Sequence, residues 1–341
     1  MATEKTEAIV GIRTSEKELI RDYAKETEKK ILVAIDLSEY ASKIVRYVSE
    51  AIPAGRAKII LFHLASDIPE SLWDIEKSPG LRYKFGGDRV WELQQKREMQ
   101  DFMERAIKPF RRSGYSEDSV SVEVRSPKAG VARDILEEVQ EEYAAAVVGR
   151  KGASTLKDLI LGSVADKITN RLYHIPLCLV GDHSDPKGIL VAMDTSDGAM
   201  RALDFAADFF GAPDKEFLLL HVIRGLPAGE LSREELSEDE IGFTAMAKKE
   251  LMKAREKMKS VFEVATKKLQ QRDVPPNKIK TQIVSEVASR AATITEEAKK
   301  RGCGTIVLGR RGLSKVEEFP MGRVTKKVIM LEKEKAVWIV N

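Results

Sequence analysis

Cysteine is almost missing from this chain. Only Cys178 and Cys303 occur among 341 residues. Both lie in or beside apolar runs and neither belongs to a Cys-x-x-Cys, so they read as reduced core thiols rather than a disulfide or a metal pair. Histidine is also sparse, at four residues, and no cluster has metal-ligand spacing. No run approaches the ~18 consecutive apolar residues of a membrane span, and the first residues lack the apolar stretch of a secretion signal. These absences point to a cytoplasmic protein with no membrane partner. A nucleic-acid partner is excluded by charge: 57 Lys and Arg against 54 Asp and Glu leave only +3, and the two signs interleave along helical stretches instead of forming a basic stripe. The dinucleotide fingerprint Gly-x-Gly-x-x-Gly is missing after the first strand pattern, where Asp36-Leu37-Ser38-Glu39 stands, and the Gly-x4-Gly-Lys-Ser/Thr loop is missing altogether.

What the chain does have is one unusual stretch, twice. Val148-Gly149-Arg150-Lys151-Gly152 is followed after nine residues by Gly162-Ser163-Val164-Ala165. Leu308-Gly309-Arg310-Arg311-Gly312 is followed after nine residues by Gly322-Arg323-Val324-Thr325. The spacing Gly-x2-Gly-x9-Gly is identical and the copies are 160 residues apart, which marks an internal repeat. Glycine permits positive φ and close approach of a ligand to the backbone. A following helix start offers unsatisfied N–H groups to an anion, and the adjacent cations add charge. Phosphate binding is the chemistry this pattern suits.

Around these stretches the chain alternates. The first copy reads as strands at 31–35, 57–64, 120–124, 145–148 and 175–180, with helices from Ser38 to Ala51, through Val90–Phe110, over 131–142 and over 164–173. The second reads as strands at 189–193, 217–222, 279–284, 305–308 and 336–340, with helices to Phe210, at 245–272, 287–301 and 324–331. Short apolar runs alternating with amphipathic helices predict an α/β fold with a parallel sheet and right-handed crossovers. The expected organisation is an N-terminal arm at 1–29, with Thr14 or Ser15 capping a short helix, one domain at 30–181, a polar linker, and a second domain at 188–341. Long irregular stretches at 65–87 and 223–243, the latter acidic, are expected to be binding loops.

In an open parallel sheet a ligand sits beyond the carboxyl ends of the strands, where strand order reverses. In the first copy those ends carry Asp36, Leu64 and the Gly149–Gly152 turn, with Gly162 and Ser163 from the next helix. An acid, an apolar wall, glycine amides and a helix start suit the ribose, base and phosphates of a nucleotide. Asp194, Gly309, Gly312 and Gly322 hold the same positions in the second copy. No histidine stands near a serine or cysteine as in a triad. His63 and His221 read as core histidines at strand ends.

The segments VAIDLSEYASKIVRYVSE and VAMDTSDGAMRALDFAAD resemble the first strand and helix of the universal stress protein family. The Gly-x2-Gly-x9-Gly-Ser/Thr pattern is similar to that family's ATP-binding signature. The resemblance covers residues 30–341 as two tandem copies. It implies two Rossmann-like domains of the adenine nucleotide alpha hydrolase-like type, each with a five-stranded parallel sheet of order 3-2-1-4-5, and binding of ATP or AMP in some members. By position it implies Ala34, Ile35 and Asp36 at adenine and ribose, Leu64 and Val148 on the base, and Gly149, Lys151, Gly152, Gly162, Ser163, Val164 and Ala165 around the phosphates. Ala165 stands where some members have a hydroxyl. The resemblance also implies that the two copies pair through their fifth strands, and it allows a homodimer.

The function expected is a stress-response protein that binds adenine nucleotide mainly in the first copy and acts as a regulator or interaction module on an unidentified protein partner. The alternatives are a nucleotide-independent interaction module or a slow ATPase. The expected cofactor is ATP, with or without Mg²⁺; no general base is placed by spacing and no carboxylate pair would hold the metal by protein alone. Asymmetry between the copies is expected because Ser163 can cap the helix and donate to a phosphate, whereas Arg323 is expected to obstruct the site by folding onto Glu317 or Glu318.

Overall fold

The computed structural model describes residues 29–36, 38–65, 88–140, 143–152, 160–224, 238–313 and 321–341. The expected N-terminal helix, most of both long loops, and Glu317 and Glu318 lie outside the described residues.

The first copy comprises β1 (Lys30–Ala34), α1 (Glu39–Ala51), β2 (Lys58–Leu64), α2 (Asp88–Arg112), β3 (Val120–Arg125), α3 (Val131–Glu138), β4 (Ala145–Gly149), α4 (Ser163–Thr169) and β5 (Leu177–Val180). The second comprises β6 (Gly188–Ala192), α5 (Asp197–Phe210), β7 (Glu216–Arg224), α6 (Glu238–Gln270), β8 (Ile279–Val287), α7 (Arg290–Lys300), β9 (Thr305–Gly309), α8 (Arg323–Leu331) and β10 (Ala336–Val340). The strands form at apolar, β-branched runs because those side chains pack well on a pleated surface covered on both faces. The helices form where apolar residues recur every three to four positions. In α1 these are Ala41, Ile44, Val45 and Val48, all buried.

Alternate residues of each strand face opposite ways, so the sheet has two cores. Ile31 and Val33 point into one, shared with α1, α2, α5 and α6 residues such as Phe110, Phe210 and Met258. Leu32 points into the other, whose members include Ile135 of α3, Ile168 of α4, Ile294 of α7 and Val328 of α8.

Each copy has the strand order 3-2-1-4-5, and the two join in one ten-stranded sheet, β3-β2-β1-β4-β5-β10-β9-β6-β7-β8. The pairs within each copy are parallel. The central pair, β5 with β10, is antiparallel, with Val337 opposite Leu179 and Trp338 opposite Cys178. The fifth strands therefore do pair, as expected. An exposed edge strand presents unpaired N–H and C=O groups, and this contact removes one such edge from each copy.

Several element boundaries differ from the sequence reading. Helix α3 ends at Glu138 rather than at 142, and α6 begins at Glu238, inside the stretch expected to be a loop, rather than at 245. Helix α4 stops at Thr169 instead of Tyr173. Strand β8 runs to Val287, so α7 starts only at Arg290. Ser289 decides the last of these boundaries: its hydroxyl accepts a hydrogen bond from Ala292 N at 3.3 Å, which caps a helix at that point.

Candidate functional site

A cavity of about 170 Å³ opens at the carboxyl ends of β1, β2 and β4. Its walls include every first-copy residue expected from the sequence: Ala34, Ile35, Asp36, Leu64, Val148, Gly149, Lys151, Gly152, Gly162, Ser163, Val164 and Ala165. The sequence reading missed Ile44, Phe62, Val131 and Ile135, which also line it. Only the buried stripe of α1 hinted at Ile44.

The acid is held in a fixed pose. Asp36 Oδ1 accepts from Ser38 N at 3.1 Å and from the Ser38 hydroxyl. Ser38 thus spends its hydroxyl on Asp36 and makes no side-chain cap to α1. His63, buried, donates from Nδ1 to the carbonyl of Ile35 at 2.9 Å. This fixes the backbone of the strand end beside Asp36.

The positive φ expected of the glycines is not found. None of the three in either copy is among the described residues with positive φ. They are needed for close approach instead. A Cβ on Gly149 would meet the Lys151 carbonyl oxygen at 2.9 Å and Ile44 Cδ1 at 3.0 Å, and one on Gly152 would meet Asp36 Oδ2 at 3.1 Å. Acid and glycine turn therefore touch and form one continuous rim. Gly162, not Ser163, is the N-cap of α4, because its carbonyl already accepts from Asp166 N at 2.9 Å. Ser163 is the first helical residue and is exposed.

A second correction concerns Arg150, read as added charge for the phosphate. It is 3 % exposed and its Nη2 donates to the carbonyl of Ile329, in α8 of the other copy. Burial holds its pKa down at about 10, opposed chiefly by the nearby carboxylate of Glu332. Its Nε and Nη1 have no hydrogen-bond partner among the described residues. Lys151, half-buried, remains the cation on the rim of the turn.

The second copy has its own cavity, about 420 Å³, lined by Asp194, Gly309, Gly312 and Gly322 as expected, together with Arg290, Arg311 and Arg323. Asp194 is fixed as Asp36 is, by Ser196 N at 2.9 Å and the Ser196 hydroxyl. His221 donates to the Met193 carbonyl at 2.7 Å. Leu220 stands on its wall where Phe62 stands on the first. Arg323 is exposed and stands on its wall. The obstruction expected of Arg323 runs through Glu317 or Glu318, which lie outside the described residues. Thr325 does carry the hydroxyl that Ala165 lacks, but it is buried and donates to the Gly309 carbonyl at 2.8 Å. That hydroxyl is committed to the protein. Gly198, another residue the sequence reading missed, packs its backbone against the Arg311 carbonyl so closely that a Cβ would overlap it.

Among the described residues no group of three or more His, Cys, Asp or Glu is placed to hold a metal ion, and no helix is long and apolar enough to cross a membrane.

No curated protein matches the chain. Solved structures do. A universal stress protein from Archaeoglobus fulgidus is 17% identical, with a TM-score of 0.53 over 92% of this chain and 96% of that one. A putative universal stress protein from Pseudomonas aeruginosa is 13% identical, with a TM-score of 0.52 over 93% and 94%. At these identities the likeness is one of fold. The family model for the universal stress protein family matches residues 27–173 and again 186–334. With two such matches spanning most of its length, the chain belongs to the universal stress protein family.

Proposed function

We propose that this protein binds an adenine nucleotide, ATP, mainly in the first copy, and acts as a nucleotide-dependent regulator or interaction module in the cytoplasmic stress response. The observation that carries the reading is the meeting of three separate segments, Asp36, Val148–Gly152 and Gly162–Ala165, around one cavity. Asp36 would take the ribose hydroxyls. Leu64 and Val148 would flank the base. The backbone of Gly149, Gly152 and Gly162, with Lys151 and Ser163, would take the phosphates. The residues fit such a ligand, because the glycine turn leaves no Cβ between the backbone and the rim. A cavity of about 170 Å³ lies below the roughly 300–1,000 Å³ of sites that engulf a whole drug-sized ligand. Base and ribose would fill it, and the phosphates would lie along the open turn. Any Mg²⁺ would arrive with the nucleotide, held by its phosphates. The two cysteines are buried free thiols, in keeping with a reducing compartment.

The two copies differ in chemistry as well as in room. At the first helical position, Ser163 offers a small hydroxyl donor and Arg323 a long cation, and the Thr325 hydroxyl is already used. Mass spectrometry of the protein after mild extraction should find bound adenine nucleotide, and calorimetry should find about one ATP site per chain. An empty protein whose thermal unfolding is unmoved by millimolar ATP would reject the reading in favour of a nucleotide-independent interaction module.

A further inference from the structure

The arginine inside each glycine turn reaches across to the other copy, and the two do so reciprocally. Arg310, 5 % exposed, donates from Nη2 to the Leu172 carbonyl at 2.5 Å and from Nη1 to the Thr169 carbonyl at 3.2 Å. Thr169 is the last residue of α4, the helix whose first turn walls the first cavity, and Leu172 lies in the turn just beyond it. The fork is fixed from behind: Arg310 Nε donates to Asn341 Oδ1 at 2.5 Å, and Asn341 Nδ2 donates to the Ile175 carbonyl at 2.6 Å. Its guanidinium also lies 5.1 Å from the centre of the Tyr173 ring. Arg150 makes the mirror contact, to Ile329 near the end of α8, the helix whose first turn walls the second cavity.

The main chains of the same two residues hold the opposite helix ends. Gly162 N donates to the Arg150 carbonyl at 2.8 Å, and Gly322 N donates to the Arg310 carbonyl at 2.8 Å. Helix α4 is therefore gripped at its start by the backbone of Arg150 and at its end by the side chain of Arg310. Helix α8 is gripped the other way round. A seven-residue helix is a rod of about 10 Å, so fixing its end fixes the direction of its first turn.

We propose that each copy completes the other's site: Arg310 is a positioning residue for the first cavity and Arg150 for the second. Carbonyls at a helix end lack intrahelical donors and carry the negative end of the helix dipole, and a buried guanidinium answers both. Arginine keeps its charge even at such a site and offers a planar set of donors, which explains its presence where burial opposes a cation. The two braces are unequal. Arg310 places one donor on the last residue of α4 and another on Leu172 just beyond it, whereas Arg150 places one on α8 and has two nitrogens without a partner among the described residues. The first cavity has the better-held wall, and a preformed site loses less free energy on binding. This part of the inference rests on the nucleotide reading above.

Hydrogen exchange on the full chain tests it. In Arg310→Met, the amides of 160–172 should exchange about five- to hundredfold faster, the range expected for coupling between sites, while those of 321–331 stay near wild type. Arg150→Met should give the reverse, with 321–331 loosened. The main-chain grips survive both changes, so a merely local role predicts the opposite pattern, each variant loosening its own turn. That pattern, or unchanged exchange at 160–172 in Arg310→Met, would overturn the proposal. Should the methionine variants fail to fold, Arg310→Gln and Arg150→Gln are read by the same criteria. In calorimetry, Arg310→Met should weaken ATP by a similar factor, with partial recovery in Arg310→Lys. If wild type binds no ATP, the nucleotide reading falls while the exchange pattern still decides the crossed braces.

Discussion

The indole N–H of Trp338 in β10 donates to the hydroxyl of Tyr47 in α1 at 2.8 Å, and the same oxygen lies 3.0 Å from the Thr305 hydroxyl of β9. Tyr47 belongs to the first copy and its two partners to the second. All three are buried, and burial pushes the Tyr47 pKa well up, so the phenol stays neutral. A buried polar chain of this kind leaves orphans if one link goes. Tyr47→Phe removes the shared oxygen and strands both the indole N–H and the threonine hydroxyl. It should destabilise the chain by about 1–3 kcal/mol, seen as a lower urea midpoint with an unchanged slope. A midpoint equal to wild type would show that the chain of hydroxyls does not contribute to the contact between copies.

A second expectation follows from the exposed start of each helix. Ser163→Arg gives the first copy the second copy's residue and should weaken ATP by at least about tenfold, the effect of losing one charge-assisted bond. Arg323→Ala should leave the single ATP site as it is. Calorimetry of both variants reads this directly. Two equivalent sites in wild type, or loss of binding in Arg323→Ala, would assign the working site to the wrong copy.

Gly198 makes a prediction that the repeat alone contradicts. The matching residue of the first copy is Tyr40, so a side chain there is tolerated once. In the second copy the glycine backbone lies against the Arg311 carbonyl, with no space for a Cβ. Gly198→Ala must push the Gly309–Gly312 turn away and should cost about 1–3 kcal/mol, as overpacking does. Tyr40→Ala creates no such overlap. Comparison of the two unfolding midpoints decides whether the close approach is real.

The thiols give a test of burial. Cys178 lies in the centre of the joined sheet and burial pushes its thiol well up; Cys303 is pushed up to about 11, also by burial. The reactive species is the thiolate. At pH 8 Cys303 should hold about a hundredfold less thiolate than an exposed cysteine. Both residues should resist a thiol reagent in the native protein and react fully in denaturant. Fast native labelling of Cys178 would mean that the β5–β10 contact opens readily.

Much of this molecule is readable from residue order. The two periodicities, two for a strand and near 3.6 for a helix, reflect local backbone geometry, so the ten strands were accessible without coordinates, while the strand order of each copy came only from the family resemblance. The positions of Asp36 and the six glycines were accessible too, because a repeated spacing marks them and strand ends place them. Where Arg150 and Arg310 point was not. Beside glycines in a turn, a cation reads as a phosphate ligand. The antiparallel β5–β10 pairing instead brings the far end of the other copy's helix within reach, and a buried guanidinium goes to carbonyls that lack donors. Nor could spacing reveal why the glycines are glycines. That reason lies in Ile44, Asp36, Gly198 and Asp194, which are remote in sequence and meet the turns only in the folded chain. The size of each cavity was likewise decided in three dimensions, by all the segments that meet at the strand ends. Local pattern sets the elements and their ends; which side chain crosses to which neighbour depends on packing between them.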